Sequence, residues 1–295
     1  MVYRMKLLIV GAAGQVGQEL SARANPQWLV KAVDRLGLDI ADEVAVDRLI
    51  TNFAPDVIIN AAAYTAVDKA ESDEAKAFSI NGHGAGYLAQ AAHKSGAALL
   101  HISTDYVFPG DKKGAYCEDD ATGPAGVYGA SKLAGEEAII TYCPRHIILR
   151  TAWVFGEFGN NFVKTMLRLA KDRDVLSVVG DQYGSPTWAG DIAEALLKIA
   201  QKIEEHSEVE WGTYHFSGYP YTTWANFADE ILTAAVTEGL IEKKPVIRPI
   251  TTAEYPTPAT RPLNSQLDCS KILRNFQIKP SEWRAALKNI TAYSA

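Results

Sequence analysis

The segment Lys6-Leu-Leu-Ile-Val10-Gly11-Ala-Ala-Gly14-Gln-Val-Gly17 predicts a buried strand, a glycine-rich turn and the start of a helix. Glycines let a backbone approach a pyrophosphate closely, and a helix N-terminus offers unpaired N–H groups and a partial positive charge. The segment therefore predicts a phosphate-binding turn of the kind that holds a dinucleotide. A turn that merely packs a helix on a strand is the simpler alternative.

The first 150 residues extend this unit into an α/β pattern. Short apolar, β-branched runs alternate with helical stretches, which is typical of βαβ units around a parallel sheet. We predict strands at Lys6–Val10, Trp28–Val33, Val57–Ala61, Ala98–Ser103 and His146–Arg150, and helices at Gly14–Ala24, Glu43–Phe53, Ala75–Lys94 and Ser131–Tyr142. The expected fold is a Rossmann-type, doubly wound parallel sheet.

After about Arg150 the pattern changes to aromatic and glycine-rich loops mixed with separate helices. We predict helices over Ala189–Ile203, from a Thr223 cap through Val236 and from a Ser281 cap through Ile290, and an irregular segment at Pro245–Pro262. Residues 1–150 are thus expected to form the NAD(P)-binding domain and residues 151–295 a smaller, mainly substrate-binding lobe. Residues 189–216 are expected to return to the first domain, so that the boundary is discontinuous.

Composition excludes several classes of protein. The 295 residues are 47% hydrophobic and 22% charged, which is close to the globular average and excludes bulk disorder. The net charge of −6 argues against a nucleic-acid surface. Three widely spaced cysteines exclude a disulfide framework and fit a reducing cytoplasm, the expected location. The N-terminal apolar run is too short for a secretory signal or a membrane span, so we expect no membrane association.

Two motifs carry candidate chemistry. Tyr128-Gly-Ala-Ser-Lys132 places a phenol and an ammonium one helical turn apart, and a nearby cation is what makes a phenol useful in proton transfer near neutral pH. The strand at Ala98–Ser103 ends in Thr104, whose hydroxyl is expected at the carboxyl edge of the sheet, where ligands bind in such folds. A hydroxyl there suits a carbonyl that is becoming an alkoxide.

Asp34 and Arg35 follow the second predicted strand. An acidic residue at this place favours the ribose hydroxyls of NADH, whereas an arginine favours the 2′-phosphate of NADPH. Because both are present, the preference between NADPH and NADH stays open, and two solvated loop charges are the alternative.

Together these motifs resemble the extended short-chain dehydrogenases/reductases, whose glycine turn has the GxxGxxG spacing found here, and within them the dTDP-4-dehydrorhamnose reductase family. The resemblance covers nearly the whole chain. It rests on Gly11–Gly17, Asn60–Glu71 (NAAAYTAVDKAE), Ser103–Phe108, Tyr128–Glu136, Arg150–Gly156 (RTAWVFG), Asn161–Val163, Gln182–Thr187 (QYGSPT) and Arg261–Ser265.

The resemblance implies reduction of dTDP-4-dehydro-L-rhamnose by NADPH or NADH, in the synthesis of dTDP-L-rhamnose for cell-surface polysaccharide. Thr104, Tyr128 and Lys132 would form the catalytic triad, with Tyr128 as proton donor. The residues implied to bind the cofactor are Gly11, Gly14, Gln15, Val16, Gly17, Asp34, Arg35, Asp39, Ile40, Ala61, Ala62, Ala63, Tyr64, Tyr128 and Lys132. Those implied to bind the substrate are Val67, Asp68, Thr104, Tyr128, Trp153, Gln182 and Arg261.

Members of the family can bind a divalent cation through glutamates at a subunit contact, but one such position is Gln15 here, so we expect no metal. The expected partner is the dTDP-sugar, with a homodimer as a possible assembly. Another sugar-nucleotide reductase or epimerase is an alternative, as is a regulatory relative without catalysis. An intact set of Thr104, Tyr128 and Lys132 weighs against the last.

Overall fold

The computed structural model describes residues 4–293. The strands are β1 (Lys6–Val10), β2 (Leu29–Val33), β3 (Val57–Asn60), β4 (Ala98–Thr104), β5 (His146–Thr151), β6 (Val154–Phe155), β7 (Val175–Val179), β8 (Tyr183–Gly184), β9 (Thr187–Trp188), β10 (Gly212–His215), β11 (Thr222–Thr223) and β12 (Val246–Ile250).

The helices are α1 (Gln15–Arg23), α2 (Glu43–Phe53), α3 (Val67–Ala70), α4 (Glu74–Phe78), α5 (Ala85–Ser95), α6 (Val127–Tyr142), α7 (Phe162–Ala170), α8 (Ala189–Glu204), α9 (Trp224–Thr237), α10 (Ser270–Phe276) and α11 (Trp283–Leu287). A π-helical segment, Ser79–Gly84, joins α4 to α5. Single turns of 3-10 helix lie at Asp105–Val107, Thr252–Glu254 and Ile290–Tyr293.

Six parallel strands form the central sheet in the order β10-β5-β4-β3-β1-β2. The chain leaves β1 to form β2 on one side and then crosses to form β3 on the other. This reversal opens a crevice at the carboxyl ends of β1 and β3, where ligands bind in such sheets. The predicted Rossmann-type parallel sheet is confirmed.

The sheet is buried on both faces because alternate residues of each strand point to opposite sides. On one face, Leu7 and Ile9 of β1 pack in a cluster with residues of α1 and α8. On the other face, Leu8 and Val10 pack in a cluster with residues of α2 and α5. The alternation explains why these strands are nearly continuous apolar runs in the sequence.

A third apolar cluster underlies the C-terminal lobe. Its buried residues come mainly from α7, α9, α11 and β7, and the partly buried Ile247 of β12, the strand that pairs with β7, packs against them. Helix α8 and strand β10 lie elsewhere: α8 packs beside α1 and β10 pairs with β5 at the edge of the central sheet. Among residues 4–293, no helix has the length and apolar character to cross a membrane.

Three predictions about local structure are wrong. Pro245–Pro262 is not irregular throughout, since it contains β12, whose Pro249 is tolerated because β12 pairs on one side only. Ala75–Lys94 is not one helix, because the π-helical segment interrupts it. Ser281 caps no helix: its hydroxyl donates to Asp191 at 2.6 Å and accepts from the backbone N–H of Trp188.

The Thr223 cap is confirmed, because its side chain accepts the backbone N–H of Asn226 at the start of α9. The predicted strand bounds agree with the structure to within one residue.

Gly135 tests the packing of α6 on the π-helical segment. A Cβ at Gly135 would lie 2.1 Å from the carbonyl oxygen of Asn81. Although alanine in a helix usually stabilises by about 1 kcal/mol relative to glycine, we expect Gly135→Ala to lower the free energy of unfolding by about 1–3 kcal/mol. The urea midpoint measures this.

Gly82→Ala is the matched control, because its Cβ would meet Ala134 at an ordinary 3.5 Å. The control should unfold at or above the wild-type midpoint. A wild-type midpoint for Gly135→Ala would contradict the close approach of the two segments.

Candidate active site

The glycine turn after β1 brings three backbone segments into close contact. Gly11 has φ +85°, and a Cβ there would lie 2.5 Å from the backbone nitrogen of Ala62. A Cβ on Gly17 would lie 2.1 Å from the carbonyl oxygen of Gly11. Gly14 precedes α1, and no side chain caps that helix. The turn is therefore an open backbone cradle at a helix N-terminus, which fits the pyrophosphate of a dinucleotide.

A cleft runs from this turn along the carboxyl ends of β1, β2 and β3. Ten of the residues expected to bind the cofactor line it: Gly11, Gly14, Asp34, Arg35, Asp39, Ile40, Ala61, Ala62, Ala63 and Tyr64. Ala66, Lys76 and Ile80 also line it, and the sequence analysis did not assign them to the cofactor. The cleft includes the turn and is lined by both polar and apolar groups, which suits a dinucleotide.

Gln15, Val16 and Gly17 lie behind the cleft rather than on its wall. The side chain of Val16 is buried in the sheet core. The side-chain oxygen of Gln15 accepts a hydrogen bond from Asn161 at 3.2 Å. Only the backbone N–H groups at the start of α1 are thus directed to a ligand from these positions.

Backbone N–H groups of the loop after β2 bind one oxygen of the Asp34 carboxylate. Its Oδ1 accepts the backbone N–H groups of Leu36 and Gly37, each at 3.0 Å. Arg35 is exposed at the cleft and its guanidinium has no partner among the described hydrogen bonds and ion pairs. The loop therefore offers a fixed acid and an available cation at the same end of the cleft.

Asn81 joins this cleft to α6. Its side chain accepts from the Tyr64 backbone N–H at 2.8 Å and donates to the Tyr64 carbonyl and to Ser131 Oγ, each at 3.0 Å. Ser131 Oγ in turn donates to the carbonyl of Tyr128 at 2.8 Å. The sequence analysis missed Asn81, although an Asn-Gly pair inside a helical stretch signals a break in the helix.

Thr104 lies at the end of β4 and is buried beside Asp105. Thr104 Oγ1 donates to Asp105 Oδ1 at 3.0 Å and accepts the backbone N–H of Tyr106. Burial raises the pKa of Asp105 to about 6, although hydrogen bonds from Ser265 and Thr104 oppose the rise. The other carboxylate oxygen, Oδ2, has no partner among the described residues. The sequence analysis quoted Asp105 within the strand-end motif but gave it no role.

Tyr128 is the second residue of α6, with its ring edge-on to that of Tyr106 at 5.4 Å. Burial and the charge of Asp105 raise the pKa of Tyr128 above its ordinary value of 10, and the Thr104 hydroxyl acts in the opposite direction. The phenol is therefore protonated at neutral pH and could donate its proton.

The described contacts of Lys132 do not include Tyr128, so the charge argument made from the sequence stays a prediction. Its ammonium nitrogen Nζ contacts the Ile102 carbonyl at 2.7 Å and His101 Nε2 at 3.2 Å. Burial lowers the pKa of Lys132 to about 8. His101 contacts Asn60 on the next strand at 2.9 Å. The sequence analysis gave no role to His101 or Asn60, because each lies within an apolar strand.

Arg261 and Asp68, both predicted to contact substrate, form an ion pair with 2.6 Å between Nη2 and Oδ2. Arg261 Nη1 also donates to the Tyr106 hydroxyl at 3.0 Å, and Tyr106 adjoins Tyr128. Val67 is half-buried beside Asp68 at the start of α3. This group places a cation and a carboxylate next to the candidate catalytic tyrosine.

Trp153 and Gln182 lie in the lobe. Trp153 has φ +46° and stacks on Trp224 with 3.6 Å between ring centroids. Gln182 is buried and donates to Thr252 at 3.1 Å. The described contacts do not join either residue to Tyr128. Among residues 4–293, no group of three or more His, Cys, Asp or Glu side chains is arranged to hold a metal ion.

Curated relatives match the chain along almost its whole length. A dTDP-4-dehydrorhamnose reductase of Aggregatibacter actinomycetemcomitans is 52% identical over 291 residues, covering 98% of this chain and 99% of the relative. The dTDP-4-dehydrorhamnose reductase of Escherichia coli strain K12 is 40% identical, covering 97% of each chain.

Solved structures agree with these matches. The dTDP-4-dehydrorhamnose reductase of Bacillus anthracis, solved in complex with NADP, is 36% identical with a TM-score of 0.91, covering 98% of this chain and 99% of that one. A UDP-glucose 4-epimerase of Thermus thermophilus, 21% identical with a TM-score of 0.79, covers 98% and 99% and shares the fold alone. The family model described as RmlD substrate binding domain matches residues 5–295. The chain therefore belongs to this family of dTDP-4-dehydrorhamnose reductases.

Proposed function

We propose that the chain reduces the C4 carbonyl of dTDP-4-dehydro-L-rhamnose to give dTDP-L-rhamnose. The observation that carries the proposal is the position of Thr104, Tyr128 and Lys132 at the carboxyl edge of β4, beside a cleft that fits a dinucleotide. The relatives that match the whole chain are named for this reaction. A nicotinamide cofactor, when bound, supplies the hydride.

Tyr128 supplies the proton in this scheme. Hydride addition at C4 leaves an alkoxide on the carbonyl oxygen, and transfer of the phenol proton to that oxygen completes the alcohol. The raised pKa of Tyr128 keeps the phenol protonated at neutral pH. The same charge on Asp105 opposes formation of the phenolate, so a cation must come close as the proton leaves, and Lys132 is the candidate.

Thr104 would polarise the substrate carbonyl, but its single hydroxyl proton is directed to Asp105. A hydroxyl that donates to a carboxylate cannot donate to a substrate at the same time. Protonation of Asp105 reverses the bond and frees the Thr104 proton. We therefore propose that Asp105 positions the Thr104 hydroxyl through its own protonation state.

Arg261 is the proposed cation for the substrate diphosphate, because a planar guanidinium matches phosphate oxygens in pairs. Its present partner, Asp68, is half exposed and is the group that a diphosphate would displace or share. Val67, Trp153 and Gln182 remain proposed contacts of the sugar and the nucleotide. We also propose that residues 1–150, with 189–216, bind cofactor and that the remaining lobe binds substrate. The absence of a catalytic metal and assembly as a homodimer remain predictions.

We propose NADPH as the preferred cofactor. Arg35 lies at the cleft with no partner among residues 4–293, whereas one oxygen of Asp34 already accepts two backbone N–H groups. A relative that is 36% identical was solved with NADP.

The activity is tested with purified protein, dTDP-4-dehydro-L-rhamnose and either NADPH or NADH, followed by the fall in nicotinamide absorbance. Stoichiometric oxidation is expected, because a reductase consumes its cofactor and an epimerase does not.

Tyr128→Phe should lose at least about 100-fold in kcat while keeping cofactor affinity, since it lacks only the proton donor. Tyr142→Phe, exposed at the end of the same helix, is the control. Wild-type turnover in Tyr128→Phe would refute the role.

Cofactor preference is tested by Arg35→Ala. Loss of the guanidinium should weaken NADPH binding by about 10-fold or more and leave NADH binding unchanged, because NADH has no 2′-phosphate. Binding is measured by fluorescence titration, with Arg48→Ala on α2 as control. An equal loss for both cofactors would contradict the assignment.

The buried Asp105 predicts a pH-dependent stability difference. The carboxyl titrates near 3.8 when unfolded and at about 6 when folded, so the folded state holds the proton more tightly. The contribution of protonated Asp105 to the free energy of unfolding is thus lost as the pH rises from about 4 to 6. Asp105→Asn does not lose it, because an amide does not titrate in this range. The variant's free energy of unfolding relative to wild type should rise by up to about 3 kcal/mol over that range. A difference that does not change with pH would contradict the burial argument.

A further inference from the structure

Three buried side chains form a line of contacts behind the active site. Asn60 on β3, His101 on β4 and Lys132 on α6 are each at most 2% exposed. Asn60 Nδ2 lies 2.9 Å from His101 Nδ1, and His101 Nε2 lies 3.2 Å from Lys132 Nζ. The proposed mechanism includes Lys132 but assigns no role to His101 or Asn60.

The direction of each hydrogen bond follows from one backbone group. The N–H of Ala62 donates to Asn60 Oδ1 at 3.0 Å, which fixes the orientation of the amide. Its NH₂ group therefore faces His101 Nδ1, and an NH₂ group can only donate. Nδ1 must accept, so the proton of the neutral ring is on Nε2, facing Lys132.

Two donors then meet at Lys132 if that residue is an ammonium, because Nε2–H and the Nζ protons would oppose each other. The conflict disappears when Nζ has a lone pair and accepts from Nε2–H, while one of its own protons is donated to the Ile102 carbonyl. Turning the amide of Asn60 around only moves the conflict to the Ala62 N–H. One arrangement satisfies every donor, and in that arrangement Lys132 is neutral.

We propose that His101 is a positioning residue that donates through Nε2–H to Lys132 Nζ and holds this lysine as a neutral amine until the cofactor binds. The inference rests on the proposed catalytic role of Lys132. Lys132 then takes up one proton from solvent when it becomes the cation beside Tyr128, and its hydrogen bond from His101 Nε2–H breaks because an ammonium has no lone pair to accept it.

The charges around Lys132 agree with this assignment. Burial lowers the pKa of Lys132 to about 8, and donation from His101 Nε2–H to the neutral amine would lower it further. Burial also lowers the pKa of His101 so far that the ring stays neutral. Glu136, one turn further along α6, acts in the opposite direction on Lys132. However, the carboxylate of Glu136 is already paired with Arg150, with 2.6 Å between Oε2 and Nη2.

The experiment is an NMR titration of the full-length protein without cofactor, using ¹⁵N-labelled histidine and ¹³C-labelled lysine. The wild type should show His101 as the Nε2–H tautomer, with Lys132 titrating below the value of about 8 that burial alone gives and neutral at about pH 7. The resonances are assigned by their loss in His101→Leu and Lys132→Met. An Nδ1–H tautomer, or a Lys132 ammonium at about pH 7, would overturn the proposal.

Asn60→Asp reverses the hydrogen bonds without removing any. The carboxylate can accept from both Ala62 N–H and Nδ1–H, so His101 should change to the Nδ1–H tautomer and its Nε2 should accept from a Lys132 ammonium. The titration of Lys132 should move upward by about one pH unit or more. Retention of the Nε2–H tautomer in this variant would also overturn the proposal. Because neither spectrum depends on turnover, a failure here is distinct from a failure of the proposed reaction.

Discussion

The side chain of Asn81 holds together the two halves of the candidate active site. It binds both backbone polar groups of Tyr64, at the cofactor cleft, and the hydroxyl of Ser131 on the catalytic helix. Asn81 reaches both because it lies in the π-helical segment, whose backbone contacts α6 at Gly135. Buried amides of this kind fix a geometry, because every unpaired group would be costly. In the proposed reaction, the distance between the cofactor and Tyr128 would depend on this contact.

At the candidate active site, burial shifts the pKa values of Tyr128, Asp105 and Lys132. Tyr128 stays protonated because it is buried near the charge of Asp105. Asp105 itself titrates at about 6, and Lys132 is shifted toward the neutral amine. Glu136 and Arg150 nearby form a buried ion pair with 2.6 Å between Oε2 and Nη2. In the proposed reaction, the Tyr128 proton is therefore in place before the cofactor binds, and Lys132 supplies the cation afterwards.

Periodicity and motif order predicted the parallel sheet, the glycine turn and the hydroxyl, phenol and lysine of the candidate site. Two kinds of feature could not be predicted from the sequence. Asn60 and His101 lie in apolar strands, where one polar residue does not disturb the pattern, and their meeting depends on the register between β3 and β4. The expected pairing of Lys132 with Tyr128 rested on helical spacing, which places side chains on one face but does not say which acceptor a long side chain reaches.

The central claim is that this site transfers hydride to C4 of the sugar while Tyr128 supplies the proton. The most direct test uses NADPH that carries deuterium at the transferred position of the nicotinamide, with dTDP-4-dehydro-L-rhamnose as substrate and NMR of the product. The account predicts one deuterium at C4 of the hexose and none at C3 or C5. Product without deuterium at C4, or recovery of the cofactor still reduced and labelled, would contradict it.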